Sequence, residues 1–397
     1  MELNEALKKV AVLGAAGKMG RGISLLLLQE MCRLEAELHG DVGTGEYSLM
    51  LVDLDAHALR SMRQYFRKHL RTYAERKINA LRTYYVDHPE LVSNGDIINA
   101  FIEGALDNVR LSAHLDTARQ ANMIFEAVAE NIDIKSIVMS ALTGNAYFFS
   151  NTSSVPIYIL DDRAELNGKI IGFHFYNPPP IQKLLEIIEP KGMVPELKPL
   201  ALELAKRLDK TIVYSKDVAG FIGNGHLLRE VHYATQKIKE LPYPEPEAIQ
   251  ILDTITRDYL MRPMGIFELL EYVGPDVAKE IAKIMSAHLD EKFTLPKKVE
   301  RAETEAIGNL PKDWLTWKDL QKHPKKKKII EKQLAWIMSS DDPGAKLARE
   351  YLQYSHEIGE KLVRDGVAEN LDDVSTVLQN GFYHLYGLDQ ITAGSSS

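Results

Sequence analysis

His174 opens the segment His174-Phe175-Tyr176-Asn177-Pro178; Glu186 follows twelve residues later and Asn224 fifty residues later. An imidazole titrates near neutral pH, so it can accept a proton from a substrate hydroxyl. A carboxylate partner fixes its tautomer and stabilises the imidazolium that forms. A lone histidine on an apolar strand is usually a satisfied core residue. Here Glu186 sits within the apolar run "KLLEII", where an acid without a partner is costly to bury, and Ser153, Asn177 and Asn224 accompany it. That set favours a general base with its orienting acid, acting on an alcohol.

An alcohol that loses a proton must also lose a hydride, and the start of the chain offers a place for an acceptor. "KKVAVLGAAGKMGRGIS" reads as strand, glycine turn and helix. Gly14, Gly17, Lys18, Met19 and Gly20 form the turn and the helix start, where backbone N–H groups and the helix dipole suit a pyrophosphate. The strand "SLMLVDLD" then brings Asp53, an acid suited to ribose hydroxyls and opposed to an extra phosphate. NAD is therefore expected over NADP. The other reading of Asp53, a solvated strand end or helix cap, stays open.

Two departures stand out. The glycines are spaced G-x-x-G-x-x-G, one residue longer than the usual pattern, and Asp53 lies well beyond the separation of about 20 residues expected. The surplus is expected in a lengthened first helix and the loop "HGDVGTGEYS", as a surface elaboration.

Residues 56–104 are helical in period and hold a basic run from Arg60 to Arg82 that includes Arg67 and Lys68, against only Glu75. This is either a solvated face or a landing site for phosphates. Tyr65, Phe66, Tyr73, Tyr84 and Tyr85 either pack these helices or stack on an adenine. "EAVAEN" puts Glu126 and Glu130 near a strand's C-terminal end, the edge where open α/β sheets bind ligands. "SNTSS" is a hydroxyl-rich turn that either caps a helix or offers Ser153 to a substrate oxygen.

The 397 residues exceed one ordinary core. A net charge of −8 argues against a surface built for nucleic acid or anionic membrane. The single cysteine, Cys32, excludes an intrachain disulfide and a cysteine metal site, and no metal is expected. The first residues run into a strand without a secretory leader pattern, and the longest early apolar stretch, "ISLLLLQEM", is too short to span a bilayer. The expectation is a soluble, cytoplasmic protein.

The blocks "GAAGKMGRGI", "LVDLD", "EAVAEN", "SNTSS", "GFHFYNPPPIQKLLEII", "KDVAGFIGN" and "RPMGIFELLEYVG" resemble the L-3-hydroxyacyl-CoA dehydrogenase family, in the family's order over roughly residues 8–285. The resemblance implies an α/β Rossmann-like doubly wound sheet with an inserted helix pair, followed by all-α C-terminal domains. It implies His174 as catalytic base, Glu186 as its orienting carboxylate, and Ser153 and Asn224 as groups that hold the substrate oxygen and the histidine. Asp53 would hold the adenosine ribose, and Glu130, Lys135 and Asn177 match positions that contact NAD. The basic segment falls where the family contacts coenzyme A, with Arg67 and Lys68 as candidates. Gly225 stands where the family commonly has arginine, which bears on packing or dimer contacts.

The implied organisation is an NAD-binding domain over 1–215, with the helical insertion at about 56–104, and a helical domain over 216–295. A connector follows at 296–334, then a second, degenerate helical domain at 335–390 and a flexible tail at 391–397. The last domain rests on a repeat: Asp253–Gly265, "DTITRDYLMRPMG", matches Ser375–Gly387, "STVLQNGFYHLYG", in length. Such a pair would replace a dimer partner, so both a homodimer and a monomer are open. "HPKKKK" reads as a solvated helix start, with a partner-binding or nucleic-acid role for Lys325 to Lys328 as the alternative. The expected activity is reversible NAD-dependent oxidation of an L-3-hydroxyacyl-CoA in fatty acid β-oxidation. The alternatives are a dehydrogenase of a free hydroxy acid, of gulonate or carnitine type, and a non-catalytic NAD-binding sensor.

Overall fold

Apolar runs such as "KVAVL", "SLMLV" and "IIGFHF" are buried almost throughout, as strands covered on both faces must be. They build the sheet of a computed structural model that describes residues 1–304 and 307–392. Most of the expected tail, 393–397, lies outside the described residues. The chain divides into two units, Met1–Thr152 with Ile157–Ile212, and Ser153–Pro156 with Val213–Ser397.

In the first unit α1 (Leu3–Ala6) and β1 (Lys9–Leu13) lead into α2 (Lys18–His39) and β2 (Ser48–Val52). Next come α3 (Ala56–Arg76), the short α4 (Ile78–Tyr84) and α5 (Asn94–Asp107), then β3 (Val109–Ser112). The α3 helix packs on α5, which gives the inserted helix pair. The remaining elements are β4 (Met123–Glu126), α6 (Ile132–Ser140), β5 (Tyr147–Ser150), α7 (Ile157–Ala164), β6 (Ile170–Phe175), β7 (Leu184–Ile188), α8 (Leu197–Arg207) and β8 (Thr211–Ser215). The last of these carries the chain out of the unit.

The strand order is β3-β2-β1-β4-β5-β6-β7-β8. Pairing is parallel from β3 through β6, and β7 runs antiparallel to β6. The order reverses between β1 and β4, the switch point at which such sheets bind ligands. Side chains alternate faces along a strand. Phe173 and Phe175 accordingly join Phe125 and Phe149 in a stacked aromatic core on one face, and His174 projects to the other.

The surplus before Asp53 is where it was expected. The α2 helix runs to His39, and the following loop is tied down by the buried Glu35. Glu35 accepts from Gly43 N at 3.0 Å, Thr44 N at 2.8 Å and Asn108 Nδ2 at 2.5 Å. The loop is thus anchored to the core as well as elaborating the surface.

The second unit is helical: α9 (Gly223–Glu240), α10 (Glu245–Thr254), α11 (Ile266–Val273), α12 (Pro275–His288), α13 (Trp317–Leu320), α14 (Lys326–Ser339), α15 (Pro343–Arg364), α16 (Leu371–Gly381) and α17 (Asp389–Thr392). The buried helix α9 packs against α10, α11, α12, α15 and α16. The two segments of matched length each contain a similar local contact. Asp253 Oδ1 accepts from Phe267 N at 2.7 Å, and a Cβ on Gly265 would overlap that carboxylate. Ser375 Oγ accepts from Leu388 N at 2.9 Å, and a Cβ on Gly387 would meet Ser375 Oγ at 2.9 Å. In both, a polar side chain ties down the backbone just past a glycine that must lack a side chain. Lys325 to Lys328 are exposed at the start of α14, as a solvated helix start requires.

Candidate active site

The β6–β7 pairing sets His174 directly opposite Glu186. Their side chains therefore meet on one face: His174 Nδ1 lies 2.8 Å from Glu186 Oε2. Glu186 is fully buried and His174 is 7 % exposed. With Nδ1–H donated to the carboxylate, the imidazole presents Nε2 as its proton acceptor. A third group completes the cluster. The Tyr176 hydroxyl donates to the same Oε2 at 2.8 Å. Burial, with the Glu186 charge beside it, pushes the Tyr176 phenol well above its ordinary range, so it stays a donor. Sequence reasoning passed over Tyr176; its signal is the strand period, two residues from His174.

Asn151, from "SNTSS", accepts from Phe175 N at 2.9 Å and fixes the end of β6. Beside it, Ser150 Oγ donates to Glu126 Oε2 at 2.6 Å, and Lys135 Nζ lies 2.8 Å from Glu126 Oε1 and 3.2 Å from Glu130 Oε2. Thr152 Oγ1 donates to Glu130 Oε1 at 2.8 Å. Burial alone would lower the Lys135 ammonium; the two carboxylates outweigh it and raise it. Lys135 is 1 % exposed and held by these two carboxylates, so its effect at the sheet edge passes through Glu130.

The start of α2 and the segment after His174 share a cleft of about 400 Å³ lined by Lys18, Arg21, Gly22, Tyr65, and Asn177 to Pro180. Two residues expected at the cofactor, Lys18 and Asn177, are brought together here. The Arg21 guanidinium lies 5.8 Å from the Tyr65 ring centroid and donates to Ala16 O at 2.8 Å. A Cβ on Gly22 would stand 2.8 Å from Pro179 Cδ, so only glycine lets these walls approach. Of the other aromatic residues, Phe66 and Tyr85 are buried and Tyr73 stacks on Phe101, which is helix packing.

Arg67 pairs with Glu103 of α5, Arg71 donates to Asn99 Oδ1 at 3.2 Å and Arg82 to Asn94 Oδ1 at 2.7 Å. Lys68 is exposed. Arg67, Arg71 and Arg82 are thus engaged in holding the inserted helices together. In the second unit Asn224 Nδ2 donates to Ser153 O at 2.9 Å, and Gly220 N to Ser154 O at 3.0 Å. These bonds hold Ser153 and Ser154 at the start of α9 within that unit. A Cβ on Gly225 would meet Leu362 of α15 at 3.1 Å, so that helix occupies the space an arginine would need.

Residues 42–218 match the family model for the 3-hydroxyacyl-CoA dehydrogenase NAD binding domain, and residues 220–308 match the C-terminal domain of the same family. The chain belongs to the 3-hydroxyacyl-CoA dehydrogenase family. A probable 3-hydroxybutyryl-CoA dehydrogenase of Deinococcus radiodurans is 30 % identical over 196 residues, covering 48 % of this chain and 69 % of that protein. Its counterpart in Bacillus subtilis is 26 % identical over 292 residues, covering 72 % and 88 %. The structure of 3-hydroxybutyryl-CoA dehydrogenase from Escherichia coli superposes with a TM-score of 0.65 at 17 % identity, over 98 % of this chain and 91 % of that one. At that identity the likeness concerns the fold.

Family membership makes the chain an NAD-dependent dehydrogenase, and the switch point fits that cofactor. The matched region begins after the glycine turn, so the turn is tested by its own geometry. Gly14 has φ +71°, and a Cβ there would lie 2.5 Å from Ala127 O; one on Gly20 would overlap the Gly14 carbonyl. The α2 N-terminus carries no side-chain cap and no acid in its first turn, as an anion site requires. Asp53 stands past the end of β2, with Oδ2 accepting from Ala16 N at 3.0 Å. The carboxylate thereby supports the turn and, with oxygens that each accept more than one hydrogen bond, remains able to take a ribose hydroxyl. No group of three His, Cys, Asp or Glu residues poised for a metal occurs among the described residues. No helix among them is long and apolar enough to cross a membrane.

Proposed function

We propose that this enzyme oxidises an L-3-hydroxyacyl-CoA to the 3-ketoacyl-CoA, reversibly, with His174 as general base. The observation that carries the reading is the buried His174–Glu186 pair, held at 2.8 Å by direct strand register. NAD, when bound, supplies the hydride acceptor. Nε2 of His174 takes the proton of the C3 hydroxyl as the C3–H bonding pair departs, and the hydroxyl becomes a ketone. Glu186 balances the imidazolium charge and holds Nδ1–H. Ser153 and Asn224 serve as donors to the substrate oxygen. In reverse, His174 returns the proton to the ketone.

A coenzyme A thioester is favoured over a free acid by the relatives named 3-hydroxybutyryl-CoA dehydrogenase and by the basic α3 face. With Arg67 engaged by Glu103, Lys68 is the better candidate for a phosphate. The enzyme works as a fatty acid oxidation dehydrogenase in the cytoplasm. Residues 335–390 act as a second, degenerate helical domain. The parallel ties at Asp253–Gly265 and Ser375–Gly387, and Leu362 against Gly225, support that assignment and a monomer with an internal pair.

The test is NADH consumption with acetoacetyl-CoA, beside free acetoacetate and beside NADPH. Rapid NADH loss with the thioester alone is expected. Turnover of the free acid alone would move the enzyme to the gulonate or carnitine branch. Tight NADH binding without turnover of either would make it a sensor.

A further inference from the structure

Glu186 Oε2 accepts two hydrogen bonds, from His174 Nδ1 and from the Tyr176 hydroxyl, each at 2.8 Å. We propose that Tyr176 is a positioning residue for proton transfer: its hydroxyl holds the Glu186 carboxylate so that Oε2 faces the His174 ring. The proposal rests on the reading of His174 as base. A glutamate side chain has rotatable bonds that one hydrogen bond does not fix. Tyr176, the first residue past the end of β6, supplies a further contact, so carboxylate and imidazole are set from one stretch of backbone. Its ring also lies against that of His174, with centroids 4.8 Å apart and planes at 40°. The cluster is shut off from bulk water, with Glu186 fully buried and Tyr176 8 % exposed, so no solvent shell takes over this role.

Sharing Oε2 between two donors also spreads its negative charge. A carboxylate oxygen that also accepts from a phenol interacts less strongly with an imidazolium than an unshared one.

The experiment is 3-hydroxybutyryl-CoA oxidation by NAD with the full chain, for wild type, Tyr176→Phe, Glu186→Gln, the double variant and His174→Gln. Tyr176→Phe is expected to lower kcat about tenfold, the scale of one hydrogen bond to a charged group. The KM for the thioester and the Kd for NADH stay unchanged. The acid-side inflection of the kcat/KM profile moves to higher pH, a change that mere loosening of packing would not produce. In the Glu186→Gln background the tyrosine change has no further effect, because there is no charge left to organise. An unmoved or lowered inflection, or additive losses in the double variant, overturns the proposal. If His174→Gln is inactive and Tyr176→Phe behaves as wild type, the tyrosine role alone falls. If His174→Gln keeps wild-type turnover, the base assignment falls and takes this role with it.

Discussion

At the scale of single residues, alternation along β6 decides everything that follows. Phe173 and Phe175 enter the aromatic core, and the residue between them is delivered to the opposite face, against Glu186. His174 lies among buried strand residues, with its Nδ1 held by one carboxylate, and as the proposed base it accepts the proton at Nε2. His174→Gln removes that acceptor while matching much of the volume. The expected loss in kcat is about 10²–10⁴-fold, the usual contribution of a positioned acid–base group. NADH affinity, read by fluorescence titration, stays near wild type. Turnover close to wild type would remove His174 from the chemistry.

At the scale of elements, the glycine turn and the start of α2 must close tightly over the end of β1. Gly20 makes this possible, since a Cβ there would overlap the carbonyl oxygen of Gly14. That obstacle is backbone and has no rotamer to escape into. Overpacking of this kind costs about 1–3 kcal/mol, and relief requires the first turn of α2 to move. Gly20→Ala is therefore expected to weaken NADH binding sharply while circular dichroism shows the helices retained. Unchanged NADH affinity would mean that the α2 N-terminus is not the pyrophosphate site. Register matters equally in β7, because a slip of one residue would turn Glu186 away from His174.

At the scale of the whole molecule, stability depends on charges inside the helical unit. Arg262 grips Glu230 through two hydrogen bonds, of 2.8 and 2.9 Å, with both residues buried. Burial alone would raise the Glu230 carboxyl, but Arg262 outweighs it and brings it down to about 2. A folded-state value below the unfolded one means that the contribution is complete above the unfolded pKa of about 4.3. It is lost as pH falls from there towards about 2. His226, also buried, is lowered chiefly by desolvation, so its contribution is present above an unfolded pKa of about 6.5 and declines on acidification. Urea midpoints of the full chain should thus fall in two stages as pH drops. Glu230→Gln should remove the lower stage and cost about 3–5 kcal/mol at neutral pH, because Arg262 is left buried without its anion. A wild-type acid profile in that variant would show that the pair does not set acid stability.

The sheet, the glycine turn, the lengthened α2 and the His174–Glu186 pairing were legible in the amino-acid sequence. Those are written in local signals: apolar strand runs, glycine spacing, helical period, and a buried acid that makes sense only with a partner. The polar ties at Asp253 and Ser375 were not legible; only the equal length of the segments Asp253–Gly265 and Ser375–Gly387 was. Tertiary structure decided the rest. Whether Tyr176 is a packing ring or a donor depends on which carboxylate faces it across β7. Whether Lys135 reaches outward depends on Glu126 and Glu130 meeting over its ammonium. Arg67 and Arg71 read as free cations until α5 brings Glu103 and Asn99 against them. Gly225 reads as a departure until Leu362, more than a hundred residues away, fills the space. Each of these is a contact between residues distant in sequence, and periodicity along one segment carries no information about what the fold will place opposite it.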